Sequence, residues 1–375
     1  MILDIPQPSK PVFRLVYKGI DISGELSPHL ISCTYTDKVH GEADEIEIKV
    51  QDKDGLWRGP WCPDHGDKVS LSIGYEPALL VPCGEFEIDE PNATLGRGGD
   101  EFAFRGVAAP VSQALRTQKT KGFEQQSLRQ LVDKVAKEHG FTVVGNVPQI
   151  MFNRITQRRE RDLAFLSRLA DSFGAYFSVK GKQLVFAQRS DIHGRDEVLT
   201  IRADSDDYIS ADLKRSAHKT YSKAKATYFD GNTKKKIEVE VEDSKVKNGD
   251  TLRIDDRVEN EGQARARAMA ELARENQKKQ SGNIEIPGNP YVVAGQIIAL
   301  DRDFGKWAGR YVVKQSRHQI TRGGYTTNIE INAVEEPARS KSDAGGSSGS
   351  GSASTASTTS AASDRLGFAS PTQRA

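Results

Sequence analysis

The chain of 375 residues has little cysteine and no long apolar run. Its three cysteines, Cys33, Cys62 and Cys83, are an odd number scattered through one end of the sequence. Secreted modules held by disulfides carry denser, paired cysteines, so this pattern argues against that class and favours assembly in a reducing cytoplasm. The first residues, MILDIPQPSKPVF, lack the apolar core of a signal peptide or a membrane span. We therefore expect neither a secretion signal nor a membrane partner.

The chain also lacks a charge excess of either sign. Lys and Arg total 53 against 52 Asp and Glu, which leaves a formal net charge of +1. A surface built throughout for DNA or anionic lipid would be strongly basic, so only local basic patches remain open. The length suffices for about two to four domains, each with a core large enough to fold without staples.

Periodicity divides the folded part of the chain. Residues 11–107 carry short alternating runs such as EIEIKV and KVSLSI, which are typical of β-strands. From Ser127 the apolar period becomes helical, with Ser127 as a cap and Gly140 as a stop. A second helix ends at Gly174 and leads into the hairpin sequence AYFSVKGKQLVFA. Its predicted buried stripe is Leu163, Leu166, Leu169, Ala170 and Phe173.

Strand patterns return after Asp204, with a hairpin turn predicted at Asp230-Gly231 and an Ala-rich helix at about residues 262–279. Beyond Glu336 the Gly/Ser/Thr/Ala composition predicts a tether or a disordered tail. The fold class is thus mainly β with an α+β insert. We expect a first tube-like β-barrel in residues 1–112, a middle α+β domain in 113–204, a second, related barrel in 205–336 and a flexible tail in 337–375.

Two strand blocks on either side of the middle domain share one layout. Each has a glycine before a strand, a second strand that starts at a glycine, a Gly-Gly turn and a third strand. From Gly84 and Gly309 onward the spacing matches without a gap. Recurrent turn chemistry can also produce such a match, but a duplication would let a trimer present six equivalent barrels. The blocks are residues 66–71, 84–88, 98–99 and 104, and residues 295–300, 309–313, 323–324 and 329.

The segment QRRERDLAFLSRLADSFGAYF resembles a motif of the phage late control protein D family of contractile-tail hub proteins, and of the hub portion of type VI secretion spike proteins. The later stretch GKWAGRYVVKQSRHQITRGGYTTNIEINAV resembles the second barrel of that family. The resemblance spans roughly residues 10–335. It implies a homotrimer with pseudo-sixfold symmetry that joins a hexameric tail tube to a trimeric spike. Other implied partners are the tape-measure protein and further baseplate proteins.

The same resemblance implies a structural protein of a phage or tailocin particle, located in the tail baseplate and assembled in the bacterial cytoplasm. Because the residues show no catalytic or ligand constellation, we expect no enzymatic activity, no cofactor and no metal. The residues that we expect to shape the two kinds of domain are all architectural. They are Arg161, Asp162, Phe165, Leu166, Arg168, Leu169 and Gly174 in the middle domain, and Gly309, Tyr311, Gly323, Gly324 and Tyr325 in the second barrel.

Motifs that could carry chemistry have simpler interpretations. Cys62 and His65 lack a second Cys/His pair for a zinc site, so a turn is expected. The run GRGGD at 96–100 lacks the ending and the helix of a phosphate loop, and a hairpin tip is expected. The acidic run at 204–207 does not have the spacing of a calcium loop, which favours a solvated turn. A tail-associated peptidoglycan hydrolase stays an alternative, although no carboxylate pair or nucleophile motif stands out.

A nucleic-acid-binding regulator is the weaker alternative, prompted by Arg158, Arg159, Arg161 and the lysines at 234–236. These basic residues alternate with acidic ones, and no recognition helix or zinc finger appears. We expect Glu160 and Asp162 to balance Arg158 and Arg159, and the lysine run to be accounted for by pairing with the glutamates at 238, 240 and 242 across strands or between subunits. No specific nucleic-acid partner is therefore expected.

Overall fold

The computed structural model describes residues 10–334 apart from residues 42, 109–114, 116, 217–219, 231–233, 244–245, 247–248 and 255–257. The predicted flexible tail and Gly231 of the predicted hairpin turn lie outside the described residues. Among the helices of the described residues, none combines the length and the apolar character needed to cross a membrane.

Strands dominate the described residues, and helices interrupt them mainly in the middle of the chain. The strands are β1 (Lys10–Tyr17), β2 (Ile20–Asp21), β3 (Leu30–Lys38), β4 (Glu45–Gln51), β5 (Lys68–Glu76), β6 (Val81–Thr94), β7 (Glu101–Val107), β8 (Lys119–Ser127), β9 (Thr142–Val144), β10 (Met151–Glu160), β11 (Ala175–Lys180), β12 (Gln183–Gln188), β13 (Glu197–Ile201), β14 (Ser210–Arg215), β15 (Tyr221–Asp230), β16 (Lys235–Glu242), β17 (Asp250–Ile254), β18 (Gln280–Pro287), β19 (Ile297–Leu300), β20 (Gly309–Thr321) and β21 (Gly324–Ala333). The helices are α1 (Ser23–Leu26), α2 (Leu128–His139), α3 (Asp162–Ser172), α4 (Arg189–His193) and α5 (Glu261–Gln277), with 3₁₀ turns at Ser27–His29 and Arg302–Trp307.

One 13-stranded sheet runs through both ends of the chain. Its main path is β14-β18-β21-β20-β3-β4-β7-β6-β5-β1-β2, and β19 pairs with β20 and with β13 beside this path. We call β1 and β3 to β7 the first barrel, and β13, β14 and β18 to β21 the second barrel. The fold is mainly β with an α+β insert, as the sequence predicts.

The two barrels repeat the same strand register. Leu71 lies opposite Gly84 in the first barrel, and Leu300 lies opposite Gly309 in the second. Beyond these pairs, both long strands carry a register shift at the same place, between Ile88 and Glu90 in β6 and between Val313 and Gln315 in β20. A bulge retained at one position in two strands is a specific feature, because each bulge redirects every following side chain. The register confirms the predicted relation between the barrels.

The glycines of the repeat adopt the same unusual backbone conformations. Gly66 and Gly295 have φ of 84° and 83°, and Gly84 and Gly309 have φ of 125° and 145°. Side chains other than hydrogen rarely tolerate these values. The two barrels therefore turn at equivalent points for the same physical reason. One difference stands out, since β1 runs antiparallel to β5 whereas β13 runs parallel to β19.

Two smaller α+β units pack beside the barrels. The first contains α2, α3 and β8 to β12, and its core joins both helices to the hairpin β11-β12. The second lies within the range predicted for the second barrel, where β15, β16 and β17 form a separate sheet covered by α5. The domain boundaries given above stay a prediction.

Local signals for the helices of the middle domain are confirmed. Ser127 and Gln130 form a reciprocal capping box at the start of α2, and Gly140 ends that helix in the left-handed conformation. Helix α3 buries Phe165, Leu166 and Leu169 on one face. Leu163 and Phe173, which were expected in the buried stripe, are only partly buried against the same core.

The basic segment before α3 belongs to a strand. Residues up to Glu160 form β10, and a register shift between Gln157 and Glu160 contains Arg158 and Arg159. The expected charge balance is wrong, because Glu160 binds Arg168 and Asp162 binds Lys119.

The expected partners of the lysine run are also corrected. Lys235 and Lys236 lie on β16 itself, the strand that carries the three glutamates. The glutamates instead pair across the hairpin with Lys223 and Lys225 of β15. Sequence proximity to the turn suggested the wrong lysines, since side chains on one strand cannot face each other across a ladder.

Gly174 ends α3 under two constraints. Its φ is 69°, and a Cβ built on it would lie 3.3 Å from the Cβ of Ala270 on α5. Gly140 ends α2 with nearly the same φ of 70°, but a Cβ there would meet nothing within 4 Å. The two glycines thus separate backbone strain from packing.

We predict that Gly174→Ala destabilises the protein more than Gly140→Ala. Both variants incur the left-handed penalty of about 1–2 kcal/mol. Gly174→Ala adds crowding of α5, which costs about 1 kcal/mol more. Chemical denaturation followed by far-UV circular dichroism measures the difference. Equal losses would show that α3 and α5 do not need this close approach.

Candidate functional sites

A buried ion cluster joins the first barrel, the second barrel and the middle domain. Lys180, at the end of β11, places Nζ 2.5 Å from Asp37 Oδ1 and 3.1 Å from Asp44 Oδ2. The backbone N–H of Ala294 donates to the other oxygen of Asp37 over 2.9 Å. Both carboxylates are almost fully buried. Removing one member of such a cluster leaves an uncompensated buried charge.

The protonation of the cluster follows from its surroundings. Burial, followed by the nearby charge of Asp37, raises the pKa of Asp44 to about 7. Burial opposes the charged form of Lys180, but Asp37 and Asp44 outweigh it and raise the pKa of that amine. The Lys180 ammonium therefore remains charged, and the raised pKa of Asp44 favours a protonated carboxyl below about pH 7.

The ladder between β3 and β20 joins the two barrels of one chain by strand pairing. Seven residues of β20, from Gln315 to Thr321, pair antiparallel with residues 32–38 of β3. Ile320 and Tyr325 belong to the second barrel by sequence, yet both pack into the core of the first. The first barrel is therefore incomplete without the hairpin of the second.

His318 and Tyr325 hold the centre of this joint. The His318 ring stacks on Tyr35 of β3, with ring centres 5.7 Å apart. Its Nδ1 lies 2.8 Å from the hydroxyl of Tyr325, and burial lowers the pKa of His318 to about 4. A neutral imidazole is thus packed between two tyrosines at ordinary pH. The sequence-based choice included Tyr325 and missed His318, since a histidine within a strand has no distinguishing pattern.

Gly288 explains the placement of Tyr325. A Cβ on Gly288 would lie 2.2 Å from Cγ of the Tyr325 ring, so only glycine allows the ring to lie on this backbone. The carbonyl of Gly288 accepts a hydrogen bond of 2.9 Å from the hydroxyl of Tyr75 in the first barrel. The only sequence signal for this role is a glycine beside two prolines, in PGNP.

The remaining selected residues of the second barrel lie at the two ends of β20. Gly309 and the buried Tyr311 are at its start, where the Tyr311 hydroxyl donates to the carbonyl of Trp307 over 2.6 Å. Gly323 and Gly324 form the turn after β20, and Gly324 has φ of 137°. These glycines shape the strand ends. Their selection as barrel-shaping residues stays a proposal that these contacts support.

In the middle domain, Asp162 forms the main polar cluster. Its Oδ2 lies 2.6 Å from Lys119 Nζ and 2.7 Å from His139 Nε2, and its Oδ1 accepts from Gln157 Nε2 over 2.8 Å. Burial alone would raise the pKa of Asp162, but the hydrogen bonds from Lys119, Gln157 and His139 outweigh it and lower the pKa. The cluster fixes the start of α3 to α2 and β8.

The same cluster includes three groups that could ligate a metal ion. One ligand atom each from Glu138, His139 and Asp162 lie within 4.8 Å of one another. The Lys119 ammonium lies 2.7 Å from Glu138 and 2.6 Å from Asp162, so the two carboxylates already share a cation. This arrangement favours an ion pair network over a metal centre.

The other selected residues of the middle domain serve packing. Phe165 is fully buried and stacks on Phe123, with ring centres 5.6 Å apart. The Arg168 guanidinium lies over the Phe165 ring at 5.3 Å and binds Glu160 at 3.0 Å. Arg161 precedes α3 without a side-chain capping bond. The middle-domain residues and the barrel residues form separate sites, which the structure does not bring together.

The motifs with simple sequence interpretations lie in turns. Residues 96–100 connect β6 to β7, so the glycine-rich run is a hairpin tip, as expected. Cys62 is exposed, and the nearby His65 has Nδ1 2.6 Å from the carbonyl of Asp89. Asp207 in the acidic run binds Arg202 over 2.9 Å, and this hydrogen bond lowers its pKa to about 2.

We predict that Asp162→Asn destabilises the protein by about 3 kcal/mol at neutral pH, because the buried carboxylate that holds His139, Gln157 and the partly exposed Lys119 loses its charge. The lowered pKa makes the contribution of Asp162 present above its ordinary pKa of about 3.9 and lost as the pH falls through the folded value. The gap from wild type should therefore shrink in acid. Denaturation at several pH values measures it.

Asp133→Asn is the matched control, since Asp133 forms an exposed pair with Arg129 on α2. It should cost less than about 0.5 kcal/mol. A loss as large as that of Asp162→Asn would contradict a special role for the buried cluster.

For Asp44 the sign of the pH dependence is the opposite. Its pKa of about 7 in the folded state exceeds the ordinary value of about 3.9, so folded protein holds a proton that unfolded protein releases. Stability from this group is present in acid and is lost as the pH rises towards 7. We predict that wild type loses on the order of 2 kcal/mol of folding stability between pH 5 and pH 8, and that Asp44→Asn does not show this loss.

Denaturation midpoints of wild type and Asp44→Asn at both pH values test this dependence. Asp54→Asn, at an exposed position in the loop after β4, is the control and should follow wild type. If Asp44→Asn also follows wild type, Asp44 does not exchange a proton in this range.

Comparison with known proteins relates this architecture to phage tails. A family model described as phage tail baseplate hub (GPD) matches residues 95–324. A probable baseplate hub protein of Escherichia phage 186 is 32% identical over 189 residues, which cover 50% of this chain and 47% of that protein. The corresponding protein of Escherichia phage P2 is 30% identical over 179 residues, covering 47% and 45%. The chain thus matches about half the length of these curated relatives.

Solved structures show the same fold. The 43 kDa tail protein of prophage MuSo2 from Shewanella oneidensis has a TM-score of 0.66 at 15% identity, covering 86% of this chain and 98% of that one. A tail protein from Neisseria meningitidis MC58 has a TM-score of 0.64 at 13% identity, covering 86% and 96%. A component of the Escherichia coli type VI secretion system follows with 0.55 at 12%, covering 86% and 77%. Since the family model covers well over half of the chain, the protein belongs to the phage tail baseplate hub (GPD) family.

Proposed function

We propose that this chain is a non-catalytic structural hub of a contractile tail baseplate, which works as a homotrimer with pseudo-sixfold symmetry. The observation that carries the proposal is the strand register repeated in the two barrels. Three chains with two equivalent barrels each present six equivalent units, while the trimer keeps threefold symmetry. Such a ring can join a hexameric tail tube on one face to a trimeric spike on the other.

Stiffness of the joint between the barrels supports this role. The β3–β20 ladder makes both barrels parts of one sheet, and Ile320 and Tyr325 complete the core of the first barrel. The cluster of Lys180, Asp37 and Asp44 fixes the middle domain to the same joint. Close-packed interiors transmit force with little compression, so a load from the tube can pass through the ring to the spike.

The middle domain and the unit around α5 are proposed as peripheral contacts for other baseplate proteins. They contact each other through Glu259, whose carboxylate accepts from the backbone N–H groups of Asn153 and Arg154 over 2.7 and 2.9 Å. A cleft of about 720 Å³ lies between them and is lined by Arg158, Arg168 and Arg267 among other residues. The tape-measure protein is a further candidate partner of the hub.

The structure gives little support to an enzymatic alternative. The carboxyl groups of Asp37 and Asp44 are buried and bound to Lys180, whereas a glycosidase holds its two carboxyls across a substrate cleft. The proposed location is the tail baseplate of a phage or tailocin, after assembly in the bacterial cytoplasm. No membrane, cofactor or specific nucleic acid is part of the proposal.

We predict that the purified protein is a trimer, alone or together with its spike, because the ring needs three chains. Size-exclusion chromatography with light scattering measures the mass. A stable monomer under both conditions would contradict the proposed hub. A peptidoglycan-release assay and a salt-dependent DNA-binding titration separate the two alternatives, and either activity above that of an unrelated phage structural protein would favour its own candidate.

A further inference from the structure

Several strand edges of the main sheet pair with no strand among the described residues, and two of them belong to different barrels. One is the outer edge of β14, which ends the sheet. The other is residues 90–94 of β6, since β5 pairs with β6 only as far as Glu87. Exposed edges carry unsatisfied backbone groups and are natural sites for pairing with another chain.

The repeat shows that these two edges are counterparts of strands that do pair with each other. Residues 90–94 of β6 correspond to residues 315–319 of β20, because Pro91 lies opposite Phe104 where Ser316 lies opposite Ile329. Strand β14 corresponds to β3, since both lie beside the equivalent strands β18 and β4. The β3–β20 ladder therefore pairs β3 with residues 315–319, whereas their counterparts, β14 and residues 90–94, have open edges.

We propose that β14 of one chain pairs antiparallel with residues 90–94 of β6 in a neighbouring copy, and that three such joints close the ring. The inference rests on the proposed trimer and specifies its contact surface. Transferring the β3–β20 register places Asn92 opposite Lys214, Ala93 opposite Leu213 and Thr94 opposite Asp212 of the neighbouring copy.

Apolar side chains in the open edges fit this register. Ala93 and Leu95 share one face of the β6 edge and would meet Leu213 and Ala211 of the neighbouring copy. Leu95 is 61% exposed in the single chain, whereas Ile320, its counterpart in the closed joint, is 4% exposed. An exposed leucine at the position where the repeat buries an isoleucine indicates a surface that is covered in the assembly.

Charges on the other face are complementary. Glu90, Asn92 and Thr94 would lie against Lys214 and Asp212 of the neighbouring copy, with Glu90 diagonal to Lys214. Diagonal neighbours across a ladder are about 7–8 Å apart, within reach of long charged side chains. A slip by one residue would turn the apolar set onto the charged face, so the pattern specifies one register.

Pro91 limits what else can pair with this edge. It offers no backbone N–H, so the free hydrogen-bonding edge is short. Short edges interrupted by proline resist unselective strand addition. The matching pattern of side chains then selects β14 of a second copy.

Disulfide trapping tests the joint in the full-length chain with Cys62→Ser, which removes the exposed native cysteine. The double variant Asn92→Cys/Lys214→Cys should give covalent trimers under mild oxidation, which reducing agent separates. Its matched control, Asn92→Cys/Arg215→Cys, places the thiols on opposite faces and should give on the order of tenfold less.

The mass of each variant is measured in parallel, so that failure of the proposed joint can be distinguished from failure of the proposed trimer. A trimer by light scattering without cross-linking of Asn92→Cys/Lys214→Cys would overturn the joint and leave the proposed hub intact. Cross-linking of Arg14→Cys/Lys214→Cys instead would assign β14 to the open edge of β1. A monomer with and without the spike would overturn the trimer and the joint together.

Discussion

The ladder between β3 and β20 is the contact on which the rest of the structure depends. It joins strands separated by most of the chain, and without it no continuous sheet would connect the two barrels. Because Ile320 and Tyr325 fill the core of the first barrel, the ladder is also part of that core. The buried Lys180 cluster then attaches the middle domain to the same line of contact. A buried ion cluster contributes little net stability, but it fixes one arrangement of its partners, since any other leaves charges unpaired.

The two barrels differ where their surroundings differ. In the second barrel, β15 to β17 and α5 lie between β14 and β18 in sequence, whereas only a short connection separates β3 from β4. This inserted unit meets the middle domain where Gly174 approaches Ala270 and where Glu259 binds the edge of β10. The insertion therefore gives the middle domain a second neighbour and leaves the repeated strands unchanged.

Local features of this fold could be predicted from the sequence, and distant pairings could not. The capping box at Ser127 and the glycines at 309 and 324 depend on neighbours a few residues away, so their patterns are visible in the chain. The contact of Asp162 with Lys119 spans a distance in sequence that no short pattern encodes. The bulge at Arg158 and Arg159 could not be predicted, because it depends on the pairing of β10 with the distant strand β8.

A chain with this repeat can bind both a sixfold and a threefold partner, because the strands that the two barrels share are not the strands in which they differ. The strands β5 to β7 and β19 to β21 share register, bulge and left-handed glycines, so in the proposed trimer they form six similar surfaces. The strands at the barrel edges differ, since β1 is antiparallel to β5 and β13 is parallel to β19. A sixfold partner would contact the repeated strands of both barrels, and a threefold partner would contact the edge strands that differ between them. Conservation of the bulge in both copies then has a mechanical meaning, since it aims both long strands, β6 and β20, in the same way towards the next barrel.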